Sequence, residues 1–551
     1  MTFRSRVVNN PVSLTFLHIN QLSPGNAMIR LVKLFTAVLF TLASTVTLPA
    51  AGTATHVVVV VWDGMRPDFV TPATTPTLCN LAKRGVTFRN HHAAYPSMTE
   101  VNGTALATGA YPGESGIIAN REFRPAFNAS KRVGTEELAV VREGDEITGG
   151  HYLNSPTVAE ILRSHGMRTA IAGAKGVALL HDRAARSEAS EGVNLYAGST
   201  LPESSANVIT GLLGQFPAAD WTGTNRDLWT RRALTGPLWE QDVPAFSLLW
   251  LSEPDHSQHE TGPGSPTSLA AIKHADQNLA QVLAALDQKG LRDTTDVIVV
   301  SDHGFSTIDQ NVDVAAVLTA QGFHAGREFP RGGARGGDVM VVGNGGTVLL
   351  YVAGHDQTLI AKVVHCLQTQ TFCGVLFTRE PVEGAFRLHD ARIDSPAAPD
   401  IVLAMHWKAD ESTNGAPGLV YSDYSQYGPG CGMHGSLSPF DMHNTCIAAG
   451  PDFRKGAQDD LPSGNIDIAP TVLWLLGVVP EHKPSGRVLR EALTQPGNSP
   501  PPPCETRRLE ASFRSIDSTW HQYLECSEIN GVLYFDQGNG VLVPRQDIGG
   551  N

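Results

Sequence analysis

Short apolar runs are the first pattern along the chain. Each consists mainly of Val, Ile, Leu, Ala or Phe, and most end on a polar or small residue. Strands that are apolar at almost every position are typical of a mostly parallel sheet whose two faces are both covered by helices. The runs predict strands at 56–64, 169–175, 246–255, 296–304 and 444–453.

Amphipathic segments between these runs predict helices. In the segment 155–166, Pro156 stands near the start and Gly166 near the end, as helix boundaries favour. Similar segments lie at 75–85, 99–108, 265–290 and 466–477. The alternation of strands and helices predicts an α/β fold with a doubly wound, mostly parallel central sheet and helices on both faces.

Two stretches depart from this alternation. Residues from about 310 to 400 are rich in glycine and predict hairpins, which we interpret as a capping insertion. The segment 497–551 begins with a proline-rich stretch and predicts a stiff linker followed by a small C-terminal β appendage. We therefore expect one catalytic domain over 55–496.

The N-terminal segment has the layout of a secretory signal peptide. Arg30 and Lys33 precede a mostly apolar run over 34–42, and small residues follow near 50–54. We therefore predict that translation starts at Met28, that residues 1–54 are an extension plus signal peptide, and that the protein is exported, either periplasmic or secreted. The apolar run is short for a membrane span, so we expect no stable span in the mature protein, although an uncleaved anchor is the alternative.

Composition limits the partners. The chain has 551 residues and a net charge of -13 without a long basic run, which argues against a nucleic-acid backbone as the main partner. A small phosphate ester stays open if a metal supplies positive charge. A Gly-Lys dipeptide and a G-x-S-x-G motif are both missing from the sequence, which excludes a P-loop and the simplest serine hydrolase. The oligomeric state is left open.

The chain has seven cysteines, which fits export and disulfide formation. The pairs closest in sequence suggest disulfides, although their connectivity stays open, and the odd number predicts at least one free thiol. Cys79, in a predicted helix, is the candidate for it. The candidate pairs are Cys366 with Cys373, Cys431 with Cys446, and Cys504 with Cys526.

Acidic residues and histidines follow three of the apolar runs. Asp63 follows the first, Asp255 follows the third with His259 four residues on, and Asp302 and His303 follow the fourth. Strand ends of an open α/β sheet share one edge, so we expect these side chains to converge, and His434 could reach the same edge from the segment before the last run. Each alone would also suit a polar turn. Together they predict a divalent metal site, and mixed Asp and His ligands favour zinc over manganese or iron.

A candidate nucleophile lies where a proline-containing loop enters the helix predicted over 99–108. The loop offers Ser97 and Thr99, and the free N–H groups of a helix N-terminus favour an anion there, although a simple N-cap is the alternative. A hydroxyl activated by a metal could attack phosphorus. The amide of Asn102, one turn along, could donate a hydrogen bond to a phosphoryl oxygen.

Six motifs together resemble the alkaline phosphatase superfamily, and within it the type I phosphodiesterase/nucleotide pyrophosphatase family. They are VVVWDGMRPDF, YPSMTEVNGTALATGAYPGESGI, SEPDHSQHETGP, VIVVSDHGF, GMHGSLSPFDMHNTCIAAGP and NIDIAPTVLWLLG. The resemblance spans about 55–480 and is thin through 120–240 and 310–420. It implies an alkaline phosphatase-like fold.

The resemblance also implies the site. By it, Asp255, His259 and His434 bind one zinc. The second zinc would be bound by Asp63, Asp302, His303 and Thr99. Thr99 would be the nucleophile and form a covalent phospho-threonine, and Asn102 would hold a non-bridging oxygen. Ser97 does not match the nucleophile position.

The substrate is less determined by the resemblance. Lys175 resembles the active-site lysine of phosphonoacetate hydrolases and related monoesterases, but their second basic residue is Val177 here. We therefore expect cleavage of a phosphodiester or pyrophosphate bond in a small-molecule phosphate ester or nucleotide. A monoesterase or phosphonate hydrolase is the alternative, with Lys175 as a phosphate ligand, although a surface or strand-end role would equally suit this lysine. A catalytically inactive binding protein is a remote one, because Thr99 and all six ligand candidates are present. The sequence lacks a sulfatase nucleophile motif.

Overall fold

The computed structural model describes residues 52–184, 192–423, 426–494 and 503–545. Residues 1–51, with the proposed start at Met28 and almost all of the predicted signal peptide, lie outside the described residues, as does most of the proline-rich linker. Within the described ranges, every helix is too short or too polar to cross a membrane.

The central sheet has nine strands and contains all five predicted runs. Its middle strand, His56–Trp62, pairs in parallel with Thr295–Val300 on one side and with Phe246–Leu251 on the other. In spatial order the strands are Ala457–Asp459, Val86–Phe88, Cys446–Ala449, Thr295–Val300, His56–Trp62, Phe246–Leu251, Thr169–Gly173, Gly192–Tyr196 and Ser199–Leu201. The predicted α/β fold is confirmed.

One apolar run takes the opposite direction from its neighbour. The strand Cys446–Ala449 pairs antiparallel with Thr295–Val300, with Cys446 opposite Val300 and Ala449 opposite Val297. An apolar run indicates that both faces of a strand are covered, but it does not indicate whether the strand is parallel or antiparallel to its neighbour. As a result, the start of this strand lies at the edge where the parallel strands end, and the segment before it arrives there too.

Helices cover both faces of the sheet, as predicted. In the middle strand, Val57, Val59 and Val61 pack towards one helical layer, and Val58 and Val60 pack towards the other. The first layer consists of Thr99–Thr108, Leu138–Thr148, Val158–Ser164 and Ile468–Leu475. The second consists of Pro76–Lys83, Ser204–Leu213, Thr224–Thr235 and Pro266–Gln288.

Local sequence explains where two of these helices begin. Thr157 caps Val158–Ser164 in a capping box with Glu160, and the Ser265 side chain caps Pro266–Gln288. Each cap accepts a hydrogen bond from a backbone N–H that would otherwise lack a partner.

A second sheet of six strands begins after Asp302 and His303 in sequence. It contains the hairpin of Asp338–Asn344 and Thr347–Val352, and the helices Val314–Ala320 and Gln357–Leu367 pack on it. In spatial order its strands are His324–Gly326, Asp338–Asn344, Thr347–Val352, Ile401–Met405, Cys373–Thr378 and Phe386–Arg387. Its other face packs against the loop before Thr99, where the Tyr95 hydroxyl lies 3.0 Å from Thr347 Oγ1.

A four-stranded sheet connects the two larger sheets at the candidate site. Its strands, in spatial order, are Trp407–Glu411, Pro417–Asp423, Ser306–Val312 and Gly432–Met433. The strand Ser306–Val312 continues directly from the segment with Asp302 and His303, and His434 follows Gly432–Met433. This sheet therefore fixes three candidate ligands.

The C-terminal sheet is integrated into the core. Its antiparallel strands are Cys504–Arg514, Ser518–Ile529 and Val532–Pro544. Gln522 Oε1 accepts a 2.7 Å hydrogen bond from the backbone N–H of Leu376 in the second sheet, and the Tyr534 hydroxyl donates to Asp467 at 2.8 Å. This sheet is thus a β unit, as predicted, but one that shares a hydrophobic core with the second sheet.

The predicted disulfides are not present, because each of the seven cysteines is a free thiol. Cys504 pairs with Ile529 and Cys526 with Arg507, so the two cysteines are three register positions apart and project from opposite faces of the C-terminal sheet. Cys373 and Cys446 lie inside strands and are buried. Proximity in sequence was a poor guide, because the cysteines of a predicted pair lie on separate elements: Cys366 is on the helix Gln357–Leu367, whereas Cys373 begins a strand.

Candidate metal centre

The carboxyl edge of the central sheet brings the predicted ligands together. Asp63 follows the strand His56–Trp62, and Asp302 and His303 follow Thr295–Val300. Asp255 and His259 lie one turn apart on the helix Asp255–Thr261, so they share a helix face. His434 arrives at this edge because the strand that follows it is antiparallel.

Two groups of ligand atoms form. In the first, Asp255 Oδ1 lies 3.3 Å from His259 Nε2 and 3.5 Å from His434 Nε2. In the second, His303 Nε2 lies 3.3 Å from Asp302 Oδ2 and 3.5 Å from Asp63 Oδ1. Asp255 Oδ1 is also 3.9 Å from His303 Nε2, so the groups adjoin.

Hydrogen bonds orient the three histidines. The Nδ1 atoms of His259, His303 and His434 lie 2.8–3.0 Å from backbone carbonyl oxygens of Gly432, Gly304 and Ser97. A carbonyl only accepts, so each Nδ1 carries the proton and each Nε2 offers a lone pair to the cluster. This arrangement is typical of metal-binding histidines.

The buried carboxylates fit a cation. Asp63 Oδ1, Asp255 Oδ1 and Asp302 Oδ2 have no hydrogen-bond partner in the part of the chain that is described. The second oxygen of each is engaged: Trp250 donates to Asp63, Lys175 to Asp255, and the backbone N–H of Gly64 to Asp302. A buried carboxylate oxygen without a partner is costly, so these three oxygens fit metal ions as their partners.

Burial also shifts the pKa values here. It raises the pKa of Asp302 to about 7 and that of Asp63 well above its ordinary value, in both cases because desolvation penalises the charge. Burial lowers the pKa of His303 and His434, which keeps both rings neutral and able to bind a metal.

Lys175 lies inside the centre. Its ammonium is 2.9 Å from Asp63 Oδ2 and 2.9 Å from Asp255 Oδ2, and 26% of its side chain is exposed. Burial works against its charge, but the carboxylates of Asp255 and Asp63 outweigh it and raise the pKa of Lys175 well above its ordinary value. Lys175 is therefore a permanent cation of the site.

Thr99 begins the buried helix Thr99–Thr108, as the sequence predicts, and its Oγ1 lies 3.2 Å from His303 Nε2. Ser97 points away, because its hydroxyl donates to the backbone carbonyl of Ser436 at 2.8 Å. The hydroxyl next to the ligand cluster is thus that of Thr99.

The expectation for Asn102 needs correction. Its side chain is fully buried, and its Nδ2 donates to the carbonyls of Ala94, Pro96 and Met98. Its Oδ1 accepts from the backbone N–H of Ala94 at 2.7 Å. The amide is used up in holding the loop before Thr99, so it has no donor left for a phosphoryl oxygen. Asn102 lies one helical turn after Thr99, which made it a candidate in the sequence. In the structure its side chain points into the protein, towards the loop before Thr99.

Sequence reasoning missed Asn120. Its Oδ1 accepts a 3.2 Å hydrogen bond from the backbone N–H of Glu100, beside Thr99, and its Nδ2 has no partner among the described residues. A weak signal existed, because Asn120 ends the buried run 117–119, much as the metal ligands end strands.

Two glutamates, the buried Glu100 and the partly buried Glu136, were missed as well. Burial, followed by the charge of Glu136, raises the pKa of Glu100 well above its ordinary value. Burial also raises the pKa of Glu136, although Lys175 opposes the shift. Two acids therefore border Thr99 and Lys175.

A cleft of about 190 Å³ opens beside Lys175 and Asp255. Its wall includes Arg226 and His256. The Arg226 guanidinium lies over the Phe216 ring at 5.2 Å, and its Nε donates to the carbonyl of Pro217. The cleft gives the centre access to solvent next to two basic side chains.

Comparisons with known proteins agree with this geometry. A family model described as type I phosphodiesterase / nucleotide pyrophosphatase matches residues 57–435. Ectonucleotide pyrophosphatase/phosphodiesterase family member 1 of Rattus norvegicus is 25% identical over 479 residues, which are 83% of this chain and 45% of the rat protein. Family member 7 of Homo sapiens is 23% identical, over 81% of this chain and 86% of the human protein. The chain thus spans under half the length of the rat relative.

Solved structures share the fold. Murine ectonucleotide pyrophosphatase/phosphodiesterase 5, an inactive variant in complex with AMP, has a TM-score of 0.57 at 18% identity and covers 80% of this chain and 100% of its own. The family model matches most of the chain, including the strand ends that supply the ligands. The chain therefore belongs to the type I phosphodiesterase/nucleotide pyrophosphatase family, within the alkaline phosphatase superfamily.

Proposed function

We propose that this chain hydrolyses phosphodiester or pyrophosphate bonds in small nucleotide-type esters, with Thr99 as the nucleophile. The observation that carries the proposal is the position of Thr99 Oγ1, 3.2 Å from His303 Nε2 at the start of a buried helix. The helix N-terminus favours the negative phosphoryl group.

Two divalent cations, zinc by the chemistry of the donors, complete this site in the proposal. Asp255, His259 and His434 would hold one, and Asp63, Asp302, His303 and Thr99 would hold the other. Their charge would stabilise the attacking and leaving oxygens of an in-line displacement. The neutral histidines and the carboxylate oxygens without partners support this assignment.

The chain's own residues perform the bond changes. Thr99 Oγ1 loses its proton to solvent and forms a bond to phosphorus while the bond from phosphorus to the leaving oxygen breaks, which gives a phospho-threonine and a leaving alkoxide that takes a proton from water. Water then cleaves the bond between phosphorus and Oγ1 and restores Thr99. Asn120, rather than Asn102, would donate from Nδ2 to a non-bridging oxygen, because its Oδ1 is already held by the Glu100 N–H.

Charge around the site supports a diester over a monoester. A monoester brings one more negative charge, whereas Lys175 is already paired with two carboxylates. Val177 is fully buried and adds no charge. Glu100 and Glu136 bring further acidic groups close by. A monoester or a phosphonate, bound through Lys175, is the second candidate.

The cleft beside Lys175 supports a substrate with a second phosphate. Arg226 and His256 line it, and the guanidinium of Arg226, of which Nε alone is bonded to a carbonyl in the described chain, can donate to a phosphoryl oxygen. AMP in the murine neighbour supports a nucleoside monophosphate as product. The net charge of -13 supports small esters over a nucleic-acid backbone, and the relatives' names, which begin with ecto, support an exported enzyme, periplasmic or secreted.

Hydrolysis of bis-p-nitrophenyl phosphate tests the proposal. We expect the wild type to lose activity after chelation and to regain it with zinc. Thr99→Ala should lower kcat by about a thousandfold or more, and Thr99→Ser should retain part of the rate. Ser97→Ala is the matched control, since it keeps the backbone carbonyl that holds His434, and we expect a rate within about threefold of wild type. Full activity of Thr99→Ala, or of metal-free protein, would refute the proposal.

A further inference from the structure

A second cluster of histidine and carboxylate side chains lies outside the candidate centre. It consists of His92, His443 and Asp536, whose ligand atoms lie within 4.8 Å of one another. His92 belongs to the short strand His91–His92, His443 follows the helix Pro439–Met442, and Asp536 lies on the C-terminal strand Val532–Pro544. The cluster therefore joins the C-terminal sheet to the segments that flank the catalytic centre.

A β-bulge directs Asp536 into this cluster. In the C-terminal sheet Glu525 pairs with Gln537 and Cys526 pairs with Phe535, so Asp536 is the additional residue of the bulge. Bulges re-aim a side chain that regular alternation would place elsewhere. Ser527 Oγ donates to Asp536 Oδ2 at 3.0 Å, which leaves Oδ1 to face His92.

The proton on His92 is fixed by its backbone contact. Nδ1 lies 2.9 Å from the carbonyl oxygen of Ser463, which only accepts, so Nδ1 carries the proton. Nε2 lies 3.0 Å from Asp536 Oδ1. If Nε2 carries a lone pair and no proton, Nε2 and Asp536 Oδ1 are two acceptors that face each other, and a cation must bind both. The alternative is a second proton on His92, which makes the contact a simple ion pair.

His443 favours the metal over the proton. Its ring centroid lies 4.4 Å from that of His92, and the residues are also joined by an isolated backbone bridge. The His443 imidazole has no hydrogen-bond partner within the described residues. An ion pair between His92 and Asp536 leaves the His443 imidazole without an interaction partner. A metal ion would bind it as the third ligand.

The candidate catalytic centre shows the same local pattern. There, each histidine does what His92 does in the second cluster: it donates from Nδ1 to a backbone carbonyl and turns Nε2 towards a carboxylate oxygen, at 3.3–3.5 Å. We propose that His92, His443 and Asp536 bind a further divalent transition metal, zinc by the chemistry of two imidazoles and one carboxylate. It would fasten the C-terminal sheet to the catalytic core across 444 residues of sequence.

Such a site would stabilise the native state. The three ligands come from distant parts of the chain, so the unfolded chain cannot present them together, and metal binding adds to the free energy of unfolding. The proposal does not depend on the reaction at Thr99. A hydrolase of any substrate, or a protein without hydrolytic activity, could carry this site.

The test counts zinc in the full-length protein. Wild type, His443→Gln and Asp536→Asn are stripped with a chelator, refilled with zinc, freed of excess metal and measured by elemental analysis. We expect each variant to hold one zinc fewer per chain than wild type. Zinc should also raise the Tm of wild type by more than it raises the Tm of either variant. The refilled variants should hydrolyse the diester at a rate within about threefold of wild type, because the substitutions leave the residues around Thr99 unchanged.

His355→Gln is the matched control. Its imidazole also meets a carboxylate, with Nδ1 2.7 Å from Asp400 Oδ1, but no third ligand is near in the described chain. We expect its zinc content to equal that of wild type. Should His443→Gln and Asp536→Asn retain the full zinc content, the cluster is an ion pair and the proposal is wrong. If only one of the two folds, its zinc count decides.

Discussion

Lys175 and Asp255 form an ion pair of 2.9 Å although 80 residues separate them. Lys175 lies two residues after the strand Thr169–Gly173, and Asp255 follows the neighbouring strand Phe246–Leu251, so the sheet edge brings them together. The pair leaves Asp255 Oδ1 facing the histidines. The lysine thus holds the Asp255 carboxylate in place and adds a positive charge, on which the proposed substrate preference would depend.

Removing this charge should separate the substrates. We expect Lys175→Ala to lower kcat/KM for p-nitrophenyl phosphate by about tenfold or more, and that for bis-p-nitrophenyl phosphate by less, because only the monoester needs the additional charge. Wild type should prefer the diester. Lys408→Ala, which removes a surface ion pair with Asp309, is the control. A wild-type preference for the monoester that disappears in Lys175→Ala would establish the monoesterase instead.

The two asparagines should have separate effects. Asn120→Ala should lower kcat for the diester by about a hundredfold with little change in stability, since it removes a donor to the transition state. Asn102→Ala should lower the free energy of unfolding by about 1–3 kcal/mol, because it leaves buried backbone groups without partners. Stopped assays and urea unfolding of both variants check this. Equal kcat in wild type and Asn120→Ala would mean that a residue other than Asn120 contacts the phosphoryl oxygen.

Asp302 should control metal content. Asp302→Asn keeps the shape but removes the charge, so we expect the purified variant to lose one zinc per chain and most of its hydrolysis, with partial rescue at high zinc concentration. Elemental analysis with parallel assays measures both. Asp309→Asn, on the strand that follows, is a partly exposed control with an expected zinc content equal to wild type. Unchanged zinc in Asp302→Asn would exclude this carboxylate as a ligand.

A buried acid away from the centre should make stability depend on pH. Burial, followed by the charge of Asp452, raises the pKa of Asp296 to about 9. The native protein keeps this proton up to about pH 9, while the unfolded chain releases it near pH 4, so the free energy of unfolding falls as pH rises between these values, by at most about 1.4 kcal/mol per pH unit.

Asp296→Asn should remove this dependence. Asparagine keeps the shape without an ionisable group, so we expect its urea midpoint to exceed that of wild type by a larger margin at about pH 8 than at about pH 6. The exposed Asp293→Asn is the control, with a difference that does not vary over this range. A constant margin for Asp296→Asn would mean that the carboxyl is already ionised in the native protein.

The sequence by itself determined the elements and the residue types of the site. Apolar runs marked five strands of the central sheet, and the helix boundaries at 99–108 and 265–290 followed from local signals. These features depend on neighbours in sequence, since caps, periodicity and strand ends are local. Asp63, Asp302 and His303 could be placed at one edge because parallel strands end on the same side.

Only the tertiary structure decided which groups are free to act. Asn102 and Asn120 are both amides near Thr99, but hydrogen bonds to the loop consume the first and leave Nδ2 of the second available. The direction of Cys446–Ala449, the separation of Cys504 from Cys526, and the meeting of His92 with Asp536 depend in the same way on contacts between segments far apart in sequence. Such contacts follow from packing and strand register, and the local pattern of apolar and polar residues specifies neither.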